Sequence, residues 1–234
     1  LPGGGEFYEP QWFASGTSSS DALCDLCGHS VPFGPDLLFR AADCAEFAFG
    51  IEICEDLWAP IPPSCRQALC GATVLVNPSG SNDLVGKSDY RLDLVRQQSA
   101  RCFAAYAYCG ACIGESTTDL VFGGDAILAE NGMILARRDR YNREAGLLTA
   151  DIDVSFLQHE RLRNPTFRQC RDQEATEERW EIPFSCTTGS PGGSLRRTVM
   201  RRPFVPADPD KRQQRCAEIF AIQSSGLATR LQHT

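Results

Sequence analysis

The chain has 234 residues, 42 % hydrophobic and 23 % charged, and carries a net charge of −7. That composition argues for a packed globular protein rather than a disordered one, and an acidic balance argues against nucleic acid as a partner. No apolar run approaches the roughly 18 residues that cross a bilayer, and no charged-then-apolar leader opens the chain, so a cytoplasmic location with no membrane partner is expected.

The first 35 residues are rich in Gly, Ser and Pro and read as loop. Residues 36–42 fit a short strand. In residues 47–53, Phe47, Phe49, Ile51 and Ile53 alternate with Ala48, Gly50 and Glu52, the period of a half-buried strand. Pro60, Pro62 and Pro63 stop it. Residues 63–72 fit a short helix closed by Gly71, and 73–77 a strand buried on both faces. Leu92, Val95, Ser99 and Cys102 recur at helical steps across 88–104. A strand over 104–109 follows. Two apolar runs in 121–138 flank Glu130, Asn131 and Gly132, and Asn-Gly predicts a hairpin. A strand and a helix fit 146–163, and residues 165–195 are polar and irregular. Asp208 as N-cap and Pro209 at the first position predict a helix over 207–225. Strands alternating with helices, plus one hairpin, indicate a layered α/β domain.

Four features invite a chemical reading. Cys54 stands at the end of a strand before a sharp turn, where a thiol is exposed and following backbone N–H groups can face an oxyanion. The neighbouring Glu55 and Asp56 oppose thiolate formation, so a cation is needed nearby. A buried strand cysteine is the plainer alternative. The pairs Cys24/Cys27 and Cys109/Cys112 have zinc-ligand spacing, but twelve cysteines in one chain make chance pairs common. Residues 114–119, with Glu115, form a polar cluster between strands that reads as a turn network or as support for a site. Finally, a loop at 79–81 follows a buried strand, the place where α/β proteins bind ligands.

Taken in order, EFYEPQWF (6–13), GIEICEDLWAPIPPS (50–64), LCGATVLVNPSGSNDLVGKSDYR (69–91), GESTTDLVF (114–122) and RRPFVPADPDKRQQRCAEIFAIQSSGLATRL (201–231) resemble the glutamine-dependent NAD synthetases. The resemblance implies a four-layer α-β-β-α sandwich of the nitrilase type, here incomplete. Residues 1–164 are then a partial carbon–nitrogen hydrolase (glutaminase) domain, 165–206 an irregular excursion and linker, and 207–234 the start of the connection to a synthetase domain. It implies that Cys54 attacks the side-chain amide of L-glutamine, that Ser81 and Lys87 hold the amino acid, and that Glu55 and Trp58 line the pocket, with Glu115 in support. It further implies that the ammonia released amidates deamido-NAD with ATP and Mg2+ in that synthetase domain, none of these cofactors binding in the present residues, and that the protein forms homo-oligomers.

The family's general base and oxyanion lysine both precede the nucleophile. The only lysines here are Lys87 and Lys211. The expectation is therefore a chain truncated at both ends and inactive alone. It has Gly3, Gly4 and Gly5 where the family carries a tyrosine after Leu-Pro. Two rival readings are a stand-alone nitrilase-type amidase and a zinc-binding interaction module.

Overall fold

The structure is a computed structural model and describes residues 22–35, 37–112, 114–115, 120–174, 180–186, 194–197, 199 and 204–233. The chain divides into two compact units, Leu1–Arg196 and Arg197–Thr234.

The first unit is built on a seven-stranded mixed sheet whose strands, from one edge to the other, are Met133–Arg138 (β8), Ala126–Glu130 (β7), Ala105–Gly110 (β6), Val74–Ser79 (β5), Ala48–Ile51 (β4), Leu37–Ala41 (β3) and Trp180–Phe184 (β9). Its centre is three parallel strands, β4 (Ala48–Ile51), β5 (Val74–Ser79) and β6 (Ala105–Gly110). Parallel neighbours need crossovers. Helix α1 (Pro63–Leu69) supplies the first and α2 (Lys87–Arg101) the second. Pro63 at the start of α1 suits its fixed φ.

Both helices lie on one face of the sheet, where Leu38, Ala48, Leu75, Tyr106, Ile127 and Val95 form the core. Gly50 is required there. A Cβ on it would collide with the Gln67 side chain of α1, whose Nε2 donates to Ile51 O at 2.7 Å. The opposite face carries an aromatic cluster: Phe39 and Phe49 stack at 4.7 Å, and Phe184 meets Phe47 and Phe49 edge-on at 5.5 and 5.4 Å.

The expected hairpin forms as β7 (Ala126–Glu130) and β8 (Met133–Arg138), antiparallel and joined by Asn131 (φ 45) and Gly132 (φ 83). Both turn residues are left-handed, the conformation that selects Asn-Gly. Helix α3 (Val154–Arg163) is capped by Asp153, which accepts from Phe156 N at 2.8 Å. Arg161, nearly buried, donates to the carbonyls of Ala72, Cys102 and Phe103 at 2.6, 3.0 and 3.0 Å, closing one end of the sheet.

Several sequence expectations need correction. Part of the segment read as loop, 22–33, is a separate hairpin of β1 (Ala22–Leu26) and β2 (His29–Phe33). Cys27 (φ 54) and Gly28 (φ 80) adopt the turn that Asn-Gly usually signals, so the cue was hidden. Residues 1–21 lie outside the described residues. The strand expected between 146 and the helix is absent: residues 146–153 make no sheet pairing. Within 165–206, read as irregular, helix α4 (Pro165–Glu174) and strand β9 (Trp180–Phe184) form, and β9 pairs parallel with β3 (Leu37–Ala41) at the sheet edge. Pro183 is tolerated because an edge strand has one unpaired side. Residues 187–193 of that stretch are outside the described residues. The fold class itself needs no correction: the described residues give one large mixed sheet with helices on one face, in keeping with an incomplete α-β-β-α sandwich.

In the second unit, α5 runs Pro209–Gln232 rather than stopping at 225. Asp208 accepts from the N–H groups of Asp210 and Lys211 at 2.9 and 3.4 Å, as its capping role requires. Gly226 sits inside the helix at a cost of about 1 kcal/mol, which a long helix absorbs.

Candidate active site

Strand β4 delivers the chain to Cys54, the first residue of a tight 3-10 turn, Cys54–Trp58. Cys54 has φ 51, left-handed backbone that a β-carbon disfavours. Two local devices hold it there. Asp56 Oδ2 accepts from Ile53 N at 2.8 Å, bracing the entry to the turn. Asn77, fully buried on neighbouring β5, accepts from Cys54 N at 3.1 Å and donates to Cys54 O at 3.3 Å. One side-chain amide thus satisfies both backbone groups of the strained residue. The residue itself is half-buried and its thiol is free.

Next to it, Ser79 and Tyr108 point from β5 and β6 toward the same region, and both are buried. Their hydroxyls approach each other without a well-aligned hydrogen bond, leaving Ser79 Oγ and Tyr108 OH unsatisfied. Buried polar atoms in that condition cost free energy unless a ligand or water completes them. Burial pushes the Tyr108 phenol up; the Arg91 guanidinium and Ser79 pull it back, and Cys54 adds to the rise. The phenol therefore stays protonated at neutral pH.

The loop after β5 is fixed from beneath by an ion network. Arg91, fully buried on α2, bridges Asp83 at 2.9 Å and Asp125 at 3.1 Å; Arg137 meets Asp125 at 2.9 Å and Arg140 meets Asp83 at 3.3 Å. On this base sit Ser81, buried, and Asn82, whose Oδ1 accepts from Lys87 Nζ at 2.7 Å. The same ammonium lies 5.5 Å from the Trp58 ring, which contacts Tyr90 at 5.3 Å. Trp58 comes from the turn that starts at Cys54, so the turn and the β5 loop are joined at this ring.

No family model matches the chain. Among curated proteins, the glutamine-dependent NAD(+) synthetase of Mycobacterium tuberculosis is 45 % identical over 233 residues, 99 % of this chain and 34 % of its own length. That of Mycobacterium leprae is 43 % identical over the same span. The chain is a homologue of the glutamine-dependent NAD(+) synthetases. It spans about a third of the length of these relatives. Among solved structures, a glutamine-dependent NAD(+) synthetase from Cytophaga hutchinsonii is 30 % identical and superposes with a TM-score of 0.48, over 57 % of this chain and 20 % of that one.

Of the residues expected at a synthetase-like glutaminase site, Lys87 and Trp58 are brought together, and Glu55 shares the 3-10 turn with Cys54. Ser81 lies on the same loop as Asn82, the hydrogen-bond acceptor of Lys87. Glu115 is exposed and lines a hollow of about 410 Å3 with Cys112, Phe122, Tyr141 and Arg143. The remainder of its polar cluster, Ser116, Thr117, Thr118 and Asp119, is outside the described residues. For the zinc reading, Cys24 and Cys27 sit on the β1–β2 hairpin while Cys109 lies within β6, and among the described residues no three Cys, His, Asp or Glu come together as a metal site.

Two residues escape the sequence reading, Asn77 and Tyr108: their strands read as buried, and packing alone accounts for such positions. Ser79 is flagged there as part of a loop, whereas it ends β5. The available signal is a polar residue at alternate positions, Asn77 and Ser79, on one face of β5.

Proposed function

We propose that this chain carries the nucleophile and the amino-acid-binding part of a glutaminase, whose ammonia serves the ATP-dependent amidation of deamido-NAD in a synthetase domain. The observation that carries the reading is the left-handed Cys54 at the end of a parallel strand, clamped through both backbone groups by Asn77. Kinship to enzymes named for glutamine-dependent NAD(+) synthesis supports it.

In the reaction, the Cys54 sulfur adds to the amide carbon of glutamine. The carbon–nitrogen bond breaks, ammonia leaves with the proton that the thiol gave up, and a thioester remains. Water then cleaves the thioester and returns glutamate and the thiol. Lys87, held by Asn82 and Trp58, faces the substrate's carboxylate, a charge-assisted contact. Ser81 binds the same head group, and Trp58 and Glu55 wall the pocket. The unsatisfied Ser79 and Tyr108 hydroxyls give polar substrate atoms partners beside the nucleophile. ATP, Mg2+ and deamido-NAD are assigned to no residue of this chain.

The test uses the enzyme encoded by the complete reading frame. Cys54→Ala is expected to abolish NAD formation from glutamine while leaving formation from free ammonia intact. Loss of neither, or no NAD formation from either nitrogen source, overturns the reading; the second outcome with ammonia release from glutamine or another small amide instead identifies a stand-alone amidase.

A further inference from the structure

Behind the sheet, α1 and the end of α2 bring two thiols into one side-chain shell. Gln98 donates through a single nitrogen, Nε2, to Ser64 Oγ at 2.8 Å, to Cys65 Sγ at 3.3 Å and to Cys102 Sγ at 3.3 Å. Its other amide atom, Oε1, accepts from Arg101, which fixes the nitrogen toward the sulfurs. The two sulfurs thus lie within reach of one nitrogen, and the Cys102 thiol lies 3.9 Å from Ser64 O. Cys102 is buried and Cys65 half-buried. Both line an open hollow of about 470 Å3, together with Arg101, Phe103, Phe167 and Cys170. None of these groups has a part in the chemistry assigned to Cys54.

The two thiols are made unequal by their surroundings. The hydrogen bond from Cys102 holds the Cys65 thiol below its ordinary range. Burial opposes this, and Gln98 and the Arg101 charge reinforce it, with Glu52 acting against. The same hydrogen bond and deeper burial push Cys102 up. The charged and titratable groups around the pair are Arg101 on α2, Glu52 just after β4, Arg161 on α3 and Cys170 on α4.

We propose that Cys65 and Cys102 are a peroxide-reactive thiol pair, in which Cys65 reacts with a small hydroperoxide entering the hollow and Cys102 then closes a disulfide joining α1 to the end of α2. In the first step the Cys65 thiolate attacks the distal peroxide oxygen. The O–O bond breaks, a sulfenic acid forms, and the departing alkoxide or hydroxide takes a proton. In the second step the Cys102 sulfur attacks that of Cys65. The S–O bond breaks, and hydroxide leaves as water with the Cys102 proton. Two thiols and one hydroperoxide give one disulfide, one alcohol or water, and one further water. A thiol reductant reverses the change.

A low thiol pKa raises the thiolate fraction but lowers its nucleophilicity, so the rate advantage is modest and the decisive readout is the product. The 234-residue chain is treated with equimolar hydrogen peroxide, alkylated, digested and mapped by mass spectrometry. The expected product is a Cys65–Cys102 linked peptide, lighter by the mass of two hydrogens and more abundant than oxidised Cys27, Cys109 or Cys216 by about tenfold. Cys65→Ser is expected to abolish the link. Cys102→Ser is expected to leave Cys65 as a sulfenic acid that a cyclic dione traps. A Cys65–Cys170 bridge, oxidation confined to the exposed thiols, or no linked peptide in the unaltered chain overturns the proposal, and that last measurement needs no variant to fold.

Discussion

Cys54 keeps its left-handed backbone because Asn77 replaces what a strand neighbour would offer, one acceptor for the N–H and one donor for the carbonyl. Asn77→Ala leaves both groups buried without partners. At about 1–3 kcal/mol for each of the two lost partners, the expected loss is about 2–6 kcal/mol in unfolding free energy, read from a urea titration. Asn77→Asp keeps the acceptor and loses the donor, so it should recover about half. Equal losses in the two variants would mean that the clamp on Cys54 is not what the side chain contributes.

Glu52 tests the same corner by pH. Its buried carboxylate accepts from Ser64 N at 2.8 Å and from the Tyr106 hydroxyl, and burial raises its pKa, with those hydrogen bonds working against the rise. A carboxyl raised on folding contributes stability that is complete below its unfolded pKa and lost as pH climbs through the folded one. Glu52→Gln has no such loss. The difference in stability between the variant and the original chain should therefore move in the variant's favour between about pH 4 and about pH 8. A difference that stays flat in chemical denaturation at both values contradicts the shift.

At the scale of elements, the β5–α2 loop is fastened to α2, β7 and β8 by charges rather than by apolar contact. Arg91 and Asp125 are each almost wholly buried, and Arg137 Nη2 also reaches Ser88 Oγ at 2.6 Å. Removing one member strands the rest: Arg91→Met is expected to cost about 3–5 kcal/mol, because Asp83 and Asp125 stay buried while a central cation is gone. A urea midpoint that falls with an unchanged slope reads this as lost stability in the folded state.

Elements that carry their own local signature were legible in the sequence. The Asn131-Gly132 hairpin, the alternation into β4 and the Asp208-Pro209 helix start each rest on neighbours in the chain. Elements defined by distant partners were not. Strand β9 is short, contains Pro183 and owes its existence to pairing with Leu37–Ala41 and to the Arg40–Glu181 bridge at 2.8 Å. Nothing within residues 180–184 announces those partners. The candidate site divides the same way. The turn at Cys54 could be read from the Pro-rich stop after a strand, and Ser79 from its place after a buried run, whereas Asn77 and Tyr108 acquire meaning only when β4, β5 and β6 lie side by side.

For the molecule as a whole, the question is whether these 234 residues can turn over glutamine. Acyl transfer from an amide requires a nucleophile, a base that moves its proton, and donors for the oxyanion. Cys54 supplies the first. Two carboxylates close to it in the chain are already engaged: Glu52 by Tyr106 and Ser64, and Asp56 by Ile53 N. Lys87 is drawn to Asn82 and Trp58, and Lys211 belongs to the other compact unit. No lysine precedes Cys54. A site that lacks one oxyanion donor loses about 10²–10³ in rate, and one that lacks the base loses more. The chain by itself is therefore expected to release glutamate from glutamine no faster than a Cys54→Ala control, in an assay coupled to glutamate oxidation. Since the chain spans about a third of its relatives' length, the complementary expectation is that the complete reading frame, under the same assay, turns over at a rate that Cys54→Ala removes. Turnover by the 234 residues alone, lost in that variant, would mean that a base and an oxyanion donor exist among the residues present, and Tyr108 with Ser79 would be the first pair to substitute.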